Sequence, residues 1–246
     1  MNLTSDLQPA IVTDAAPPGR VLIWDFDGTL GHRPARWSGA IADALTDVLG
    51  PHEFSQAMIA AEVRSGYPWH SPDVAHPHLA DGDSWWRHLG EVLAAAIGRL
   101  GVGPADAAAA AARVRPHYID LESWRLFPDS VPTLAALSDR GWRHVLLSNH
   151  VPELPEIVTG LGLASHLSVI VNSAATGYEK PHPEAFRLAL ERAGSPASAW
   201  MIGDNPVADV AGAVSAGLRA ILVRTVPADG SRHVPGLAEV IDLVSG

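Results

Sequence analysis

Five short apolar runs, rich in β-branched and aromatic residues, constrain this chain more than any other feature: VLIWDF (21–26), WRHVLLS (142–148), LSVIVN (167–172), SAWMIG (198–203) and LRAILV (218–223). Segments of helical period lie around 129–140, 153–161, 182–193 and 206–216, so from residue 129 onward helix and strand alternate. Strands joined by helices close as right-handed crossovers, and repeated units build a parallel sheet covered on both faces. The expected fold class is α/β, with a Rossmann-like parallel five-stranded sheet. Such sheets bind ligands at the carboxyl ends of their strands, so the residues that follow each run carry the chemistry.

Between the first and second runs lies a long stretch, 33–125, without a clear strand. Segments 38–49, 53–65, 84–101 and 105–124 read as helices, with an alanine run at 107–112. A crossover needs only about a dozen residues or more, so the excess predicts an inserted helical cap. The expected division is a polar tail over 1–19, an α/β core over 20–32 and 126–246, and the cap over 33–125. The stretch GYPWHSPDVAHPHLADGDSWW (66–86) is too rich in Pro, His and Trp for one helix.

Composition removes several classes. The chain has no cysteine, which excludes a disulfide framework, a thiol nucleophile and cysteine-ligated zinc. A formal net charge of −10 opposes nonspecific nucleic-acid binding, which needs positive charge to displace counterions. No apolar run is long enough for a membrane span and no secretory signal is evident, so the expected compartment is the cytoplasm. The histidines at 70, 76 and 78 could be read as a zinc site, but a His- and Pro-rich loop is more simply polar surface. Lys180 is the sole lysine; every other fixed cation is an arginine. Lysine supplies a compact point charge that a planar guanidinium cannot imitate.

The strand ends converge on acids. The first run passes into Asp25, Phe26, Asp27, Gly28 and Thr29; the second ends in Ser148-Asn149; the fourth ends in Gly203-Asp204, with Asp209 beyond it. Lys180 falls in GYEKPHPEAF, between the third strand and the next helix. Neighbouring carboxylates repel one another and demand a cation or a proton. Mg²⁺, a hard ion that takes oxygen ligands, suits them best.

These residues together resemble the haloacid dehalogenase-like superfamily, in its phosphatase branch with a helical cap after the first motif. Asp25-Phe26-Asp27-Gly28-Thr29 is similar to the first motif and Ser148 to the second. Lys180 within G-x-x-K-P-x-P-x-x-F is similar to the third, and Gly203-Asp204 with Asp209 to the fourth. The resemblance implies an Mg²⁺-dependent phosphatase acting on a small phosphorylated metabolite through an aspartyl-phosphate. It assigns Asp25 as nucleophile, Asp27 as general acid and base, and Lys180 as the neutralising cation. Ser148, Asn149, Gly28 and Thr29 would bind phosphate. The metal would be held by Asp25, the Asp27 carbonyl, Asp204 and Asp209, while Asn205 and Asn149 are also candidates for supporting hydrogen bonds.

Asp27 argues against dehalogenation, because a departing halide needs no proton. The expected cap contains no lysine for a Schiff base, which excludes phosphonate cleavage by that route. A phosphomutase keeps both acids, and a noncatalytic phosphoacceptor would keep Asp, Mg²⁺ and Lys; both stay open as alternatives. The expected assembly is a monomer or homodimer. Arg33, Arg36 and Trp37, where the chain enters the cap, and Tyr67, Trp69 and His70 in its irregular part are the candidates for specificity, with solvated hinge or ordinary packing as the plain alternative.

Overall fold

A computed structural model describes residues 19–227 and 233–245. The predicted polar tail lies outside the described residues, Gly19 excepted. Strand β1 (Arg20–Trp24) leads into a tight turn and a two-residue strand β2 (Gly31–His32). Helices α1 (Arg36–Leu49), α2 (Gln56–Glu62), α3 (Gly82–Arg99) and α4 (Pro104–Ile119) follow. The chain returns through β3 (Arg125–Leu126), α5 (Ser130–Ser138), β4 (Arg143–Ser148), α6 (Leu154–Gly160), β5 (Val169–Asn172), α7 (Ser173–Thr176), α8 (Pro183–Arg192) and β6 (Ser198–Gly203). A π-helical segment Pro206–Ala211, α9 (Gly212–Ser215), β7 (Arg219–Leu222) and α10 (Ala238–Ser245) complete it.

The main sheet has the order β5-β4-β1-β6-β7, and every pairing in it is parallel. The chain thus has the α/β fold with a five-stranded parallel sheet that the alternating runs predict. β1 is central and buried on both faces, hence its unbroken apolar sequence. Val21 and Ile23 pack with Val145, Leu147 and Met201 against Phe186 and Ala189 of α8. Leu22 and Trp24 point to the other face, where one apolar cluster runs through Leu134, Leu137 and Leu237 into helices α1, α3 and α4.

The helical insertion forms for local reasons. Ser55 caps α2 by accepting from Met58 N–H, and Asp81 caps α3 through Ser84 N–H. Pro104 opens α4, where its missing N–H costs nothing. Ala107, Ala110 and Ala111 give α4 a buried face of small side chains. The residues between α2 and α3 form two single 3₁₀ turns, Pro68–His70 and Pro77–Leu79, in keeping with the irregular stretch. The helix expected over 105–124 stops at Ile119, because the chain must straighten to pair β3 with β2. This antiparallel pair, which the sequence reading did not anticipate, sets the chain's exit and return side by side. α7 and α10 were likewise not anticipated.

Candidate active site

The carboxyl ends of β1, β4 and β6 deliver the acids and the hydroxyl to one edge of the sheet. Asp25 follows β1 directly, and its N–H still donates to the Ile202 carbonyl at 2.9 Å, so its backbone is held in sheet register. The chain then wraps around the Phe26 carbonyl, which accepts from Thr29, Leu30 and Gly31 N–H. Gly28 makes this wrap possible. Its φ is +94°, and a Cβ there would lie 2.3 Å from Asp204 Oδ2.

Asp25, Lys180 and Asp209 form a buried ionic chain. Lys180 Nζ donates to Asp25 Oδ1 at 2.8 Å and to Asp209 Oδ1 at 2.5 Å, with the lysine only 2% exposed. Ser148 Oγ donates to the same Asp25 Oδ1 at 2.9 Å. Asp25 Oδ2 carries no hydrogen bond among the described residues. Asn149 clamps the Lys180 backbone on both sides, Oδ1 accepting from its N–H at 2.7 Å and Nδ2 donating to its carbonyl at 2.9 Å. The lysine's backbone is therefore held by a residue just past the end of β4.

Asp209 sits within the π-helical segment, where sequence periodicity reads an ordinary helix. Asn205 caps that segment through Val207 and Ala208 N–H, while its own N–H donates to Asp209 Oδ2 at 2.9 Å. Widened turns of this kind are frequent at functional sites. Burial lowers the affinity of Lys180 for its proton, but Asp209 and Asp25 outweigh it and the ammonium is held above its usual range.

The remaining acids are not neutralised within the protein. Burial, with Asp25 and Asp27 nearby, pushes Asp204 up to about 6. Burial raises Asp27 to about 6 as well, with Arg36 opposing and Asp25 adding to the rise. Asp27 Oδ1 is buried without a hydrogen-bond partner. Asp25, Asp204 and Asp209 each offer an oxygen within 4.8 Å of the others, and among the described residues they are the one cluster suited to a metal ion. Three converging carboxylates with an excess of negative charge fit Mg²⁺ by donor type. The Asp27 carboxylate is not in that group. His76 instead donates to or accepts from the buried Glu179 at 3.0 Å.

A cavity of about 220 Å³ opens over these groups. Asp25, Asp27, Ser148, Asn149, Lys180, Asp204, Asn205, Ala208 and Asp209 line it from the sheet side; Arg36, Trp37, Trp69 and Tyr118 line it from the insertion. Gly28 and Thr29 are not in its wall, and Thr29 is fully buried beneath it. Of the specificity candidates, Arg36, Trp37 and Trp69 reach the cavity, while Arg33, Tyr67 and His70 do not. Tyr118 was missed. It stacks on Trp37 at 3.9 Å, a contact between α1 and α4 that no local pattern announces.

A family model for haloacid dehalogenase-like hydrolase matches residues 20–217. The chain belongs to this family, and its class is hydrolase. It is 45% identical to phosphoserine phosphatase of Thermus thermophilus over 100 residues, a match that spans only 40% of either chain. It is 32% identical to haloacid dehalogenase-like hydrolase domain-containing protein 3 of Danio rerio, over 70% of this chain and 72% of that one. Among solved structures, the HAD-hydrolase YfnB from Bacillus subtilis shares the fold with a TM-score of 0.70 at 18% identity, over 93% of this chain and the whole of that one. Among the described residues, no helix is long and apolar enough to cross a membrane.

Proposed function

We propose that this chain is an Mg²⁺-dependent phosphatase that hydrolyses a small phosphate monoester through an aspartyl-phosphate on Asp25. The observation that carries the reading is the asymmetry of the Asp25 carboxylate. Oδ1 is fixed by Ser148 and Lys180, while Oδ2 is left without a hydrogen bond in a residue that lines the cavity. An oxygen so oriented is prepared for in-line attack on phosphorus.

In the first half-reaction Asp25 Oδ2 bonds to phosphorus and the ester P–O bond breaks. Asp27, which burial raises to about 6 so that a minor fraction keeps its proton at neutral pH, gives that proton to the leaving oxygen. In the second, Asp27 takes a proton from water, water oxygen bonds to phosphorus, and the bond to Asp25 breaks to release phosphate. Lys180 and Ser148 hold Asp25 throughout, and Lys180, its backbone clamped by Asn149, carries positive charge toward the phosphate oxygens. Asp25, Asp204, Asp209 and the Asp27 carbonyl would hold Mg²⁺, which would supply charge neutralisation for the phosphoryl oxygens. Residues 33–125 would act as the cap that closes the cavity from bulk water. The same reading takes the protein as a cytoplasmic monomer or homodimer.

Hydrolysis of para-nitrophenyl phosphate tests it. Turnover should disappear with a chelator, return with Mg²⁺, yield free phosphate, and fall by at least about 10³-fold in Asp25→Asn. Chelator-insensitive turnover would remove the metal, and full activity in Asp25→Asn would remove the covalent step; a hexose phosphate isomerised without release of free phosphate would make the protein a mutase.

A further inference from the structure

Arg36 stands out among the cavity residues as an exposed cation whose charge acts on Asp27 and Asp204 without pairing with either. Arg33, three residues earlier, is 4% exposed and occupied: its guanidinium donates to the carbonyls of Arg36 at 2.6 Å and His117 at 3.1 Å, and it packs over the Tyr118 ring. The Arg36 guanidinium makes no hydrogen bond or ion pair among the described residues, yet it lines the cavity opposite the acids.

The backbone is bent to put it there. Ala35 and Arg36 have φ of +55° and +44°, two successive left-handed residues that are not glycine. L side chains rarely adopt that region, and such outliers persist only where surrounding structure holds them. Here the holding bonds are visible: Arg33 Nη1 to the Arg36 carbonyl, Arg36 N–H to the Arg33 carbonyl at 3.1 Å, and Ser38 Oγ to the Ala35 carbonyl at 2.7 Å. One buried arginine thus serves to aim a second one into the cavity.

We infer that Arg36 binds a second anionic group of the substrate, a carboxylate, so that the natural substrate is the phosphate ester of a short hydroxy acid. This rests on the phosphatase reading above. A guanidinium matches a carboxylate with two parallel hydrogen bonds, and Arg36, exposed yet lining the cavity, has its donors free of protein partners among the described residues. Trp37 and Trp69, with ring centroids 6.4 Å apart, line the same cavity and give it aromatic walls. The volume, about 220 Å³, is below the range of about 300–1,000 Å³ typical of drug-sized ligands, so only a few carbons fit between the two anions.

The test compares three substrates: para-nitrophenyl phosphate, 2-phosphoglycolate, and phosphoethanol in the form of 2-hydroxyethyl phosphate, which replaces the carboxylate by a hydroxymethyl group. The native protein should favour phosphoglycolate over phosphoethanol by about 10- to 100-fold in kcat/KM, the range of a charge-assisted hydrogen-bonded pair. Arg36→Asn suits the left-handed backbone, so the fold is retained, and it should bring that ratio to near unity. Arg36→Lys should restore part of it. Absence of all phosphatase activity in the native protein would defeat the underlying reading. Hydrolysis of para-nitrophenyl phosphate without preference for phosphoglycolate would overturn this inference alone, as would an Arg36→Asn protein that keeps the native ratio.

Discussion

On the sheet wall of the cavity, Asp25, Lys180 and Asp209 are each held by at least two polar partners, whereas on the helical wall Trp37, Trp69 and Tyr118 are set by ring packing and Arg36 by its backbone alone. The difference follows from what each wall buries. A buried charge without a partner costs several kcal/mol, so the ionic chain is tied at every link. Aromatic rings are held by buried area and by stacked or edge-to-face contacts worth only about 0.5–1.5 kcal/mol a pair. The contrast supports a division of labour, with reaction on one wall and selection on the other. The two walls are tied together by carboxylates of the sheet side: Glu153 accepts from Trp86 and Arg115, and Glu179 pairs with His76.

The largest effect that would break this contrast is at Lys180. Lys180→Arg keeps the charge but forces a larger planar group between two oxygens now 2.8 and 2.5 Å from a single nitrogen. Turnover should fall by about 10²-fold or more, comparable to loss of one preorganised contact. Near-native kcat in this variant would show that the sheet wall is as tolerant as the helical one.

A second test probes the polar network below the site. Trp24 Nε1 donates to His144 Nδ1 at 3.0 Å, which leaves His144 Nε2 to donate to the Leu134 carbonyl at 3.0 Å. The imidazole is thereby fixed neutral, and burial pushes it down to about 4. The unfolded chain takes up this proton near 6.5, before the folded one does. The stability it contributes is complete above that value and declines as pH falls toward 4. Unfolding free energies from urea titrations between pH 7.5 and 4.5 should show about 2 kcal/mol less decline in His144→Gln than in the native protein. Equal slopes would remove His144 as the source.

The smallest expected change is at the tie between the walls. Glu153→Ala releases both Trp86 and Arg115, partly exposed contacts worth about 1 kcal/mol together. KM should rise about 3- to 10-fold with kcat little altered, while the thermal midpoint drops slightly. A kcat loss as large as that of Lys180→Arg would mean that the helical wall also positions the reacting groups.

The sequence by itself determined the sheet and the residues at its edge. Strand periodicity and the residues closing each run depend on neighbours in the chain, so β1, β4 and β6 and the acids that follow them could be read directly. The structure brings Asp25, Ser148, Asn149, Lys180, Asp204 and Asp209 into one wall, whereas Gly28 and Thr29 serve the turn beneath it. The helix existence in the insertion was also legible, though not its ends, because caps and strand pairing decide where α4 stops. Only tertiary structure decided which of two nearby arginines is spent on the backbone and which is free, that Tyr118 meets Trp37, and that Asp209 rides a π-helical turn. Each of these depends on contacts between segments distant in the chain, or on a single shifted hydrogen bond, and such contacts leave no period in the sequence.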